Sequence, residues 1–181
     1  MTITADAPVK FVSQAEVIAK QRYYLRDDKN EIVEESSDLF RRVAHAVADV
    51  EDTFYTLAVE KQLVEQDFYS IMTAHQFIPN SPTLMNAGTN QGTLSACFVL
   101  PLEDSMEGIM KAAADSALVQ KFGGGTGFSL SMLRPKGDRI KTTHGLACGP
   151  IEVLKTLSRV SSMITQGGKR DGANMAVMSI Y

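Results

Sequence analysis

Leu94-Ser95-Ala96-Cys97-Phe98-Val99-Leu100-Pro101 is a short apolar run closed by a proline, and it stands where the periodicity of the chain changes. Upstream, apolar residues recur at three- and four-residue intervals, as amphipathic helices require; downstream, short apolar stretches alternate with helical ones. From this run onward the order reads strand (about 94–100), helix (about 105–121), strand (about 127–133), loop (134–149), helix (about 150–165) and strand (about 174–181). Strands spaced by helices of that length specify parallel packing, so the fold class is α/β behind a helical preface. Three parallel strands leave bare edges, and the chain ends on the apolar Met178-Ser179-Ile180-Tyr181. The expectation is therefore the opening part of a larger sheet.

Ahead of the run, residues 1–35 read as an irregular arm, with a small hairpin turning at Arg26-Asp27-Asp28-Lys29-Asn30 between Tyr23-Tyr24-Leu25 and Ile32-Val33. Ser36-Ser37-Asp38 offers caps for a helix bearing Leu39, Val43, Val47 and Val50, and a second helix over about 60–76 bears Leu63, Val64, Phe68 and Met72. Pro79 and Pro82 stop the helical pattern, which places the boundary between a helical region, 1–78, and an α/β region, 79–181.

Composition narrows the function. At 181 residues, 22% charged and a formal net charge of -3, the chain has no basic footprint for nucleic acid and no cationic face for a membrane. It shows no leader pattern and no spanning segment, which predicts a cytoplasmic protein. Cys97 and Cys148 are too few for a disulfide framework and lack metal-site spacing, so no metal ligands are assigned. A thiol that matters here matters through reactivity.

Cys97 is the first candidate. A free cysteine in an apolar strand most often serves as a small hydrophobe. Ser95 and Ala96 beside it, however, leave room for a ligand, and strand ends of β/α folds are where ligands gather. Cys148, in Gly145-Leu146-Ala147-Cys148-Gly149-Pro150 before a helix, reads as structural. Gly123-Gly124-Gly125-Thr126-Gly127 lacks the Lys-Ser/Thr ending of a Walker loop and leads into a strand. Gly123 suits a helix C-cap, and Gly124 or Gly125 suits close approach of a phosphate to backbone N–H groups. Asp104-Ser105 caps the following helix. Arg134-Pro135-Lys136-Gly137-Asp138-Arg139-Ile140-Lys141 puts four cations in eight residues, either a solvated face or a triphosphate cradle. Gln166-Gly167-Gly168-Lys169-Arg170-Asp171-Gly172-Ala173-Asn174 adds two cations and an amide, and a guanidinium there can read a base edge or a phosphate. His45, His75 and His144 are scattered and carry no assignment.

Taken in order, Asn80-Ser81-Pro82-Thr83-Leu84-Met85-Asn86, the Cys97 run, Glu103-Asp104-Ser105-Met106, the 123–128 glycine block and Gly167 to Met175 resemble the large catalytic subunit of ribonucleotide reductase, most closely the adenosylcobalamin-dependent class II. The resemblance implies a helical N-terminal region followed by the first strands and helices of a ten-stranded α/β barrel, here incomplete. It implies that Cys97 is one member of the redox-active pair, and that Ser81, Ala96, Cys97 and Gly125 contact the substrate ribonucleotide. Asp104, Ser105, Arg134 and Lys141 match the site of a deoxynucleoside triphosphate or ATP effector. Lys169, Arg170 and Asn174 match the loop that passes effector identity to the substrate. Implied partners are a thioredoxin-type reductant, a second copy in a homodimer and the remainder of the barrel, which would hold most of the adenosylcobalamin site, the radical cysteine and the partner of Cys97. Alone, the chain is expected to be catalytically silent. The alternative reading is a stand-alone nucleotide-binding regulatory module; a third is a small independent thiol protein.

Overall fold

The computed structural model describes residues 9, 11–54, 58–90, 92–164 and 172–180. The chain divides into two compact units, Met1–Leu94 and Ser95–Tyr181.

The first unit is helical: α1 (Ser13–Arg22), α2 (Ser36–Ala48), α3 (Glu51–Phe54), α4 (Ala58–Thr73) and α5 (Ser81–Asn86). Its core gathers Leu39, Phe40, Val43 and Ala44 from α2, with Ala19, Tyr24, Met72, Leu84 and Ala87. Burying each large apolar side chain among these stabilises the unit by about 1.5–3 kcal/mol. α2 begins one residue earlier than its serines suggest: Glu35 is the N-cap, and its backbone N–H donates to Asp38 Oδ2 at 3.2 Å. Ser36 is instead buried, its hydroxyl 2.9 Å from the phenol of Tyr24. The expected hairpin forms, with Val33 N–H donating to Leu25 O at 3.0 Å and a bridge between Arg26 and Ile32.

Two expectations are corrected. The arm over 1–35 contains the ten-residue helix α1, which lacks an apolar stripe and buries only Ala19. Pro82 does not end helical structure; it sits in the first turn of α5, where a missing N–H costs nothing. Asn80 caps α5, its Oδ1 accepting from Thr83 N–H and Thr83 Oγ1, both at 2.9 Å. Residues 79–94, read from sequence with the α/β region, thus belong to the helical unit.

The second unit is a three-stranded parallel sheet in the order β1 (Cys97–Leu100), β2 (Gly125–Ser129), β3 (Asn174–Val177). The helices α6 (Met106–Lys121) and α7 (Pro150–Ser162) connect and cover it. β2 starts two residues earlier than expected and ends four earlier. Alternation along the strands separates two faces. Leu100, Phe128 and Ala176 pack under the helices with Ala112, Ala113, Val153 and Leu157. The opposite face is bare: Cys97 is exposed, and Val99, Met175 and Val177 are 87%, 65% and 52% exposed. The sheet is open, an incomplete α/β barrel preceded by a helical region, as the fold class required.

Candidate functional site

β1 and β2 pair in register with Cys97 beside Gly125 and Val99 beside Gly127, and the Gly125 N–H donates to Ala96 O at 2.7 Å. The cysteine therefore stands on the bare face next to a residue with no side chain. The glycine block divides by function. Gly123, at φ 92°, closes α6, with its N–H on Gln120 O and that of Gly124 on Val119 O. A Cβ on Gly124 would press on Val119 Cγ1 at 2.6 Å and Phe98 Cε2 at 2.9 Å, so packing alone explains that glycine. A Cβ on Gly125 would meet only Ala173 O and Ala96 O, each at 3.6 Å, ordinary contact distance. Nothing within the second unit demands a glycine at 125. Of the two residues suited to close approach of a ligand, Gly125 is the one left without a packing reason.

Ser81 lies in the first unit, at the start of α5, where its hydroxyl is 3.1 Å from that of Tyr23. Below it, Arg42 fastens α5: its guanidinium donates to Glu34 at 2.7 and 3.0 Å, to Leu84 O at 3.1 Å, and to the carbonyl of Ala87. The block Leu39-Phe40-Arg41-Arg42-Val43-Ala44 also resembles the family, but periodicity assigns Arg42 no role, since it looks like one more charge on a polar helix face.

The effector candidates partly converge. Ser105 is the N-cap of α6, its Oγ accepting from Gly108 N–H at 3.0 Å. Asp104 does not cap; it pairs with Arg134, which donates from Nε to Oδ2 at 2.7 Å and from its backbone N–H to Oδ1 at 3.3 Å. The segment 134–149, expected as a loop, carries a small hairpin: Gly137 N–H donates to Ala147 O, Ala147 N–H to Asp138 O and Ile140 N–H to Gly145 O, at 2.8–2.9 Å. Lys141 is exposed at its tip. Its turn residues were legible, but the pairing of the two arms, with a bridge between Arg139 and Leu146, was not. Cys148 is exposed, with its thiol 3.7 Å from Gly149 O.

Lys169 and Arg170 lie outside the described residues. Asn174 faces the helices, in register with Thr126, and its amide joins a polar cluster with no periodic signature in the sequence. Thr126 Oγ1 is 2.9 Å from Ser116 Oγ, accepts from Gln120 Nε2 at 2.9 Å and donates to Asn174 Oδ1 at 2.6 Å. Asn174 Nδ2 donates to Ser161 Oγ at 2.6 Å. Ser116, Gln120, Thr126 and Ser161 are all buried. Among the described residues, no three His, Cys, Asp or Glu side chains cluster as a metal site, and no helix is long and apolar enough to cross a membrane.

Among the described residues, resolved electrostatic shifts fall in the first unit and at the surface pairs Lys111–Asp115 of α6 and Glu152–Lys155 of α7. Burial pushes the Tyr24 phenol up to about 12, with the Glu16 carboxylate adding to it. His45 is raised by its hydrogen bond to Glu65 and by the negative charge of Asp49 and Glu65.

Comparison with known proteins gives two family matches in succession: the all-alpha domain of ribonucleotide reductase over residues 10–92 and its barrel domain over residues 95–181. The vitamin B12-dependent ribonucleoside-diphosphate reductase of Mycobacterium tuberculosis (strain CDC 1551 / Oshkosh) is 39% identical over 172 residues, 95% of this chain and 25% of that protein. Its namesake from Thermoplasma acidophilum is 34% identical, covering 94% of this chain and 29% of the relative. The ribonucleoside-diphosphate reductase large subunit of Vaccinia virus is 34% identical over 165 residues, 89% of this chain and 19% of the relative. The chain thus spans about a quarter of the length of the B12-dependent relatives. A helical unit and an open parallel sheet, divided where the two matched domains meet, place this chain in the ribonucleotide reductase large-subunit family.

Proposed function

We propose that this chain is the N-terminal part of a class II ribonucleoside reductase, in which Cys97 supplies one of two thiols that reduce a bound ribonucleotide. The observation that carries the reading is the exposed Cys97 thiol beside Gly125, a glycine that the packing of the second unit does not require. A ribose lying across Gly125 would meet the thiol with no side chain between them. Ala96 and the Gly125 backbone would contact the nucleotide, with Asp104, Ser105, Arg134 and Lys141 taking the triphosphate effector and Lys169, Arg170 and Asn174 linking the two.

In the overall step the carbon–oxygen bond at the 2′ position breaks, a carbon–hydrogen bond forms, and the oxygen leaves as water. Two thiols give up two electrons and two protons and become a disulfide, which a thioredoxin-type dithiol reduces again. The second thiol, the radical-bearing cysteine and the other half of a homodimer would come from outside these residues. Adenosylcobalamin would supply the initiating radical. Among the described residues the face around Cys97 offers the apolar Val99, Met175 and Val177 and no metal-ligating cluster, a lining that does not fit that group.

Alkylation of Cys97 in the 181-residue chain should slow when ADP is added, while Cys148 keeps its rate. In a preparation joining the chain to the rest of the barrel, Cys97→Ser should abolish turnover driven by a dithiol while nucleotide binding survives. Full turnover by that variant would instead favour a nucleotide-binding regulatory module.

A further inference from the structure

The helical unit holds an apolar cavity that the chemistry at Cys97 leaves without a role. α2 and α4 run antiparallel, as the pairs His45–Glu65 and Asp49–Lys61 require. Val43 and Val47 of α2, Phe68, Ile71 and Met72 of α4, and Phe77 just beyond it border a cavity of about 80 Å³. Thr83 is the one polar side chain in the wall, and its hydroxyl is committed to Asn80 Oδ1 and Leu94 O, both at 2.9 Å. A void of this kind weakens a core, and an apolar one does not take up water. Its natural content is an apolar group.

Size and surroundings define that group. The cavity is smaller than the ~150 Å³ that admits a benzene ring, so it fits one branched aliphatic side chain and no aromatic one. A free hydrocarbon of so few atoms has too little surface to bind at low concentration, so the aliphatic group belongs to something larger that also uses the rim. Phe77 and the adjacent Ile78 leave that rim apolar and exposed. On α4, the exposed Leu63 and Asp67 precede Ile71 at four-residue steps and continue the same row of the helix surface. Charge here is one-sided: from Asp49 to Asp67 six acidic residues stand against the single cation Lys61, and residues 1–94 carry fourteen Asp and Glu against eight Lys and Arg. We propose that the groove between α2 and α4 docks a cationic amphipathic helix of a partner protein, with one leucine-type side chain seated in the cavity and its Lys or Arg residues beside Asp67 and its acidic neighbours. The mode is a helix laid in a groove and read through one aliphatic anchor. It requires neither a nucleotide nor the Cys97 face.

The test titrates the 181-residue chain against a fluorescent helical peptide of about four turns, built from Ala and Lys with one central Leu and followed by anisotropy. Replacing that Leu by Ala should weaken binding by about 10-fold or more, and exchanging every Lys for Glu should weaken it by at least about as much. Ala44→Leu and Val47→Phe fill the cavity in two independent ways, and each should cut affinity by about 10-fold with the helical circular dichroism kept. Asp67→Lys should cut it by about 3-fold in dilute buffer and by less in high salt. If the filled variants bind as the wild type does, or the Leu-free peptide binds equally well, the cavity is not the seat and the inference fails. Equal binding of the Glu peptide would overturn the partner's assigned charge, and with it the inference. A wild-type dimer that Ala44→Leu converts to monomer would make a second copy the occupant and would overturn it as well.

Discussion

Arg42 shows how one side chain can organise a helical unit. Its guanidinium is 11% exposed and the Glu34 carboxylate 5%, so the pair is held out of water, and its remaining donors reach the carbonyls of Leu84 and Ala87 at the end of α5. Replacing Arg42 by Met would strand the Glu34 carboxylate with only the Leu25 N–H at 3.0 Å, at a cost of about 3–5 kcal/mol for an uncompensated buried charge. Arg42→Lys keeps the charge but not the fork, and should cost about 2 kcal/mol because one ammonium cannot span four acceptors. Urea unfolding of the chain, following the helical signal, measures both, and adding Glu34→Gln to Arg42→Met should recover part of the loss. A second residue sets a pH dependence. His45, raised above its ordinary value of 6.5 by Glu65 and Asp49, joins α2 to α4 through a 2.9 Å contact with Glu65, near Lys61, which pairs with Asp49 and Asp52. A raised folded value means that the contribution is fully present below 6.5 and is lost as pH rises through the folded value. The urea midpoint of the first unit should therefore fall slightly from pH 6 to pH 8, less so in high salt, and His45→Gln should flatten that part of the profile.

At the scale of elements, α6 joins the candidate regions: Ser105 starts it beside the Asp104–Arg134 pair, and Gln120 ends it beneath Gly125. Ser105→Ala removes the acceptor for Gly108 N–H and should cost the second unit about 1 kcal/mol, while Ser105→Asp, which can still cap, should cost much less. Thermal unfolding of the two variants separates this capping duty from any effector duty, which Asp would impair by repelling phosphate. α6, α7 and the strand order were legible because caps, Gly123 and the switch in period all agree. The elements that escaped are those held by contacts far away in sequence. α1 has no apolar stripe and is fixed by Glu16, which accepts from the Tyr24 phenol at 2.9 Å. α5 is six residues long and is secured by Arg42.

For the whole molecule, the site was legible in part for the same reason. Cys97 and Gly125 were singled out by the blocks they stand in, but their pairing was not, because the pattern placed the second strand from about 127 and left Gly125 outside it. The cluster of Gln120, Thr126, Asn174 and Ser161 was not, since four polar residues spread over four elements carry no periodic mark. The bare face that makes Cys97 accessible also has a physical cost. Val99, Met175 and Val177 expose apolar side chains on one surface, and among the described residues β1 and β3 each have an edge without a strand partner. Such a surface attracts another sheet or a second copy. In isolation the 181-residue chain should therefore sediment above its 19.7 kDa monomer mass as concentration rises into the micromolar range. Val99→Thr with Val177→Thr keeps the β-branched shape the strands favour while making the face polar. The double variant should move towards monomer with unfolding stability changed by less than about 0.5 kcal/mol, because neither side chain contributes to the core. Equal sedimentation of wild type and variant would mean that self-association, if any, arises from another surface, and that the Cys97 face is quiet until its proper cover arrives.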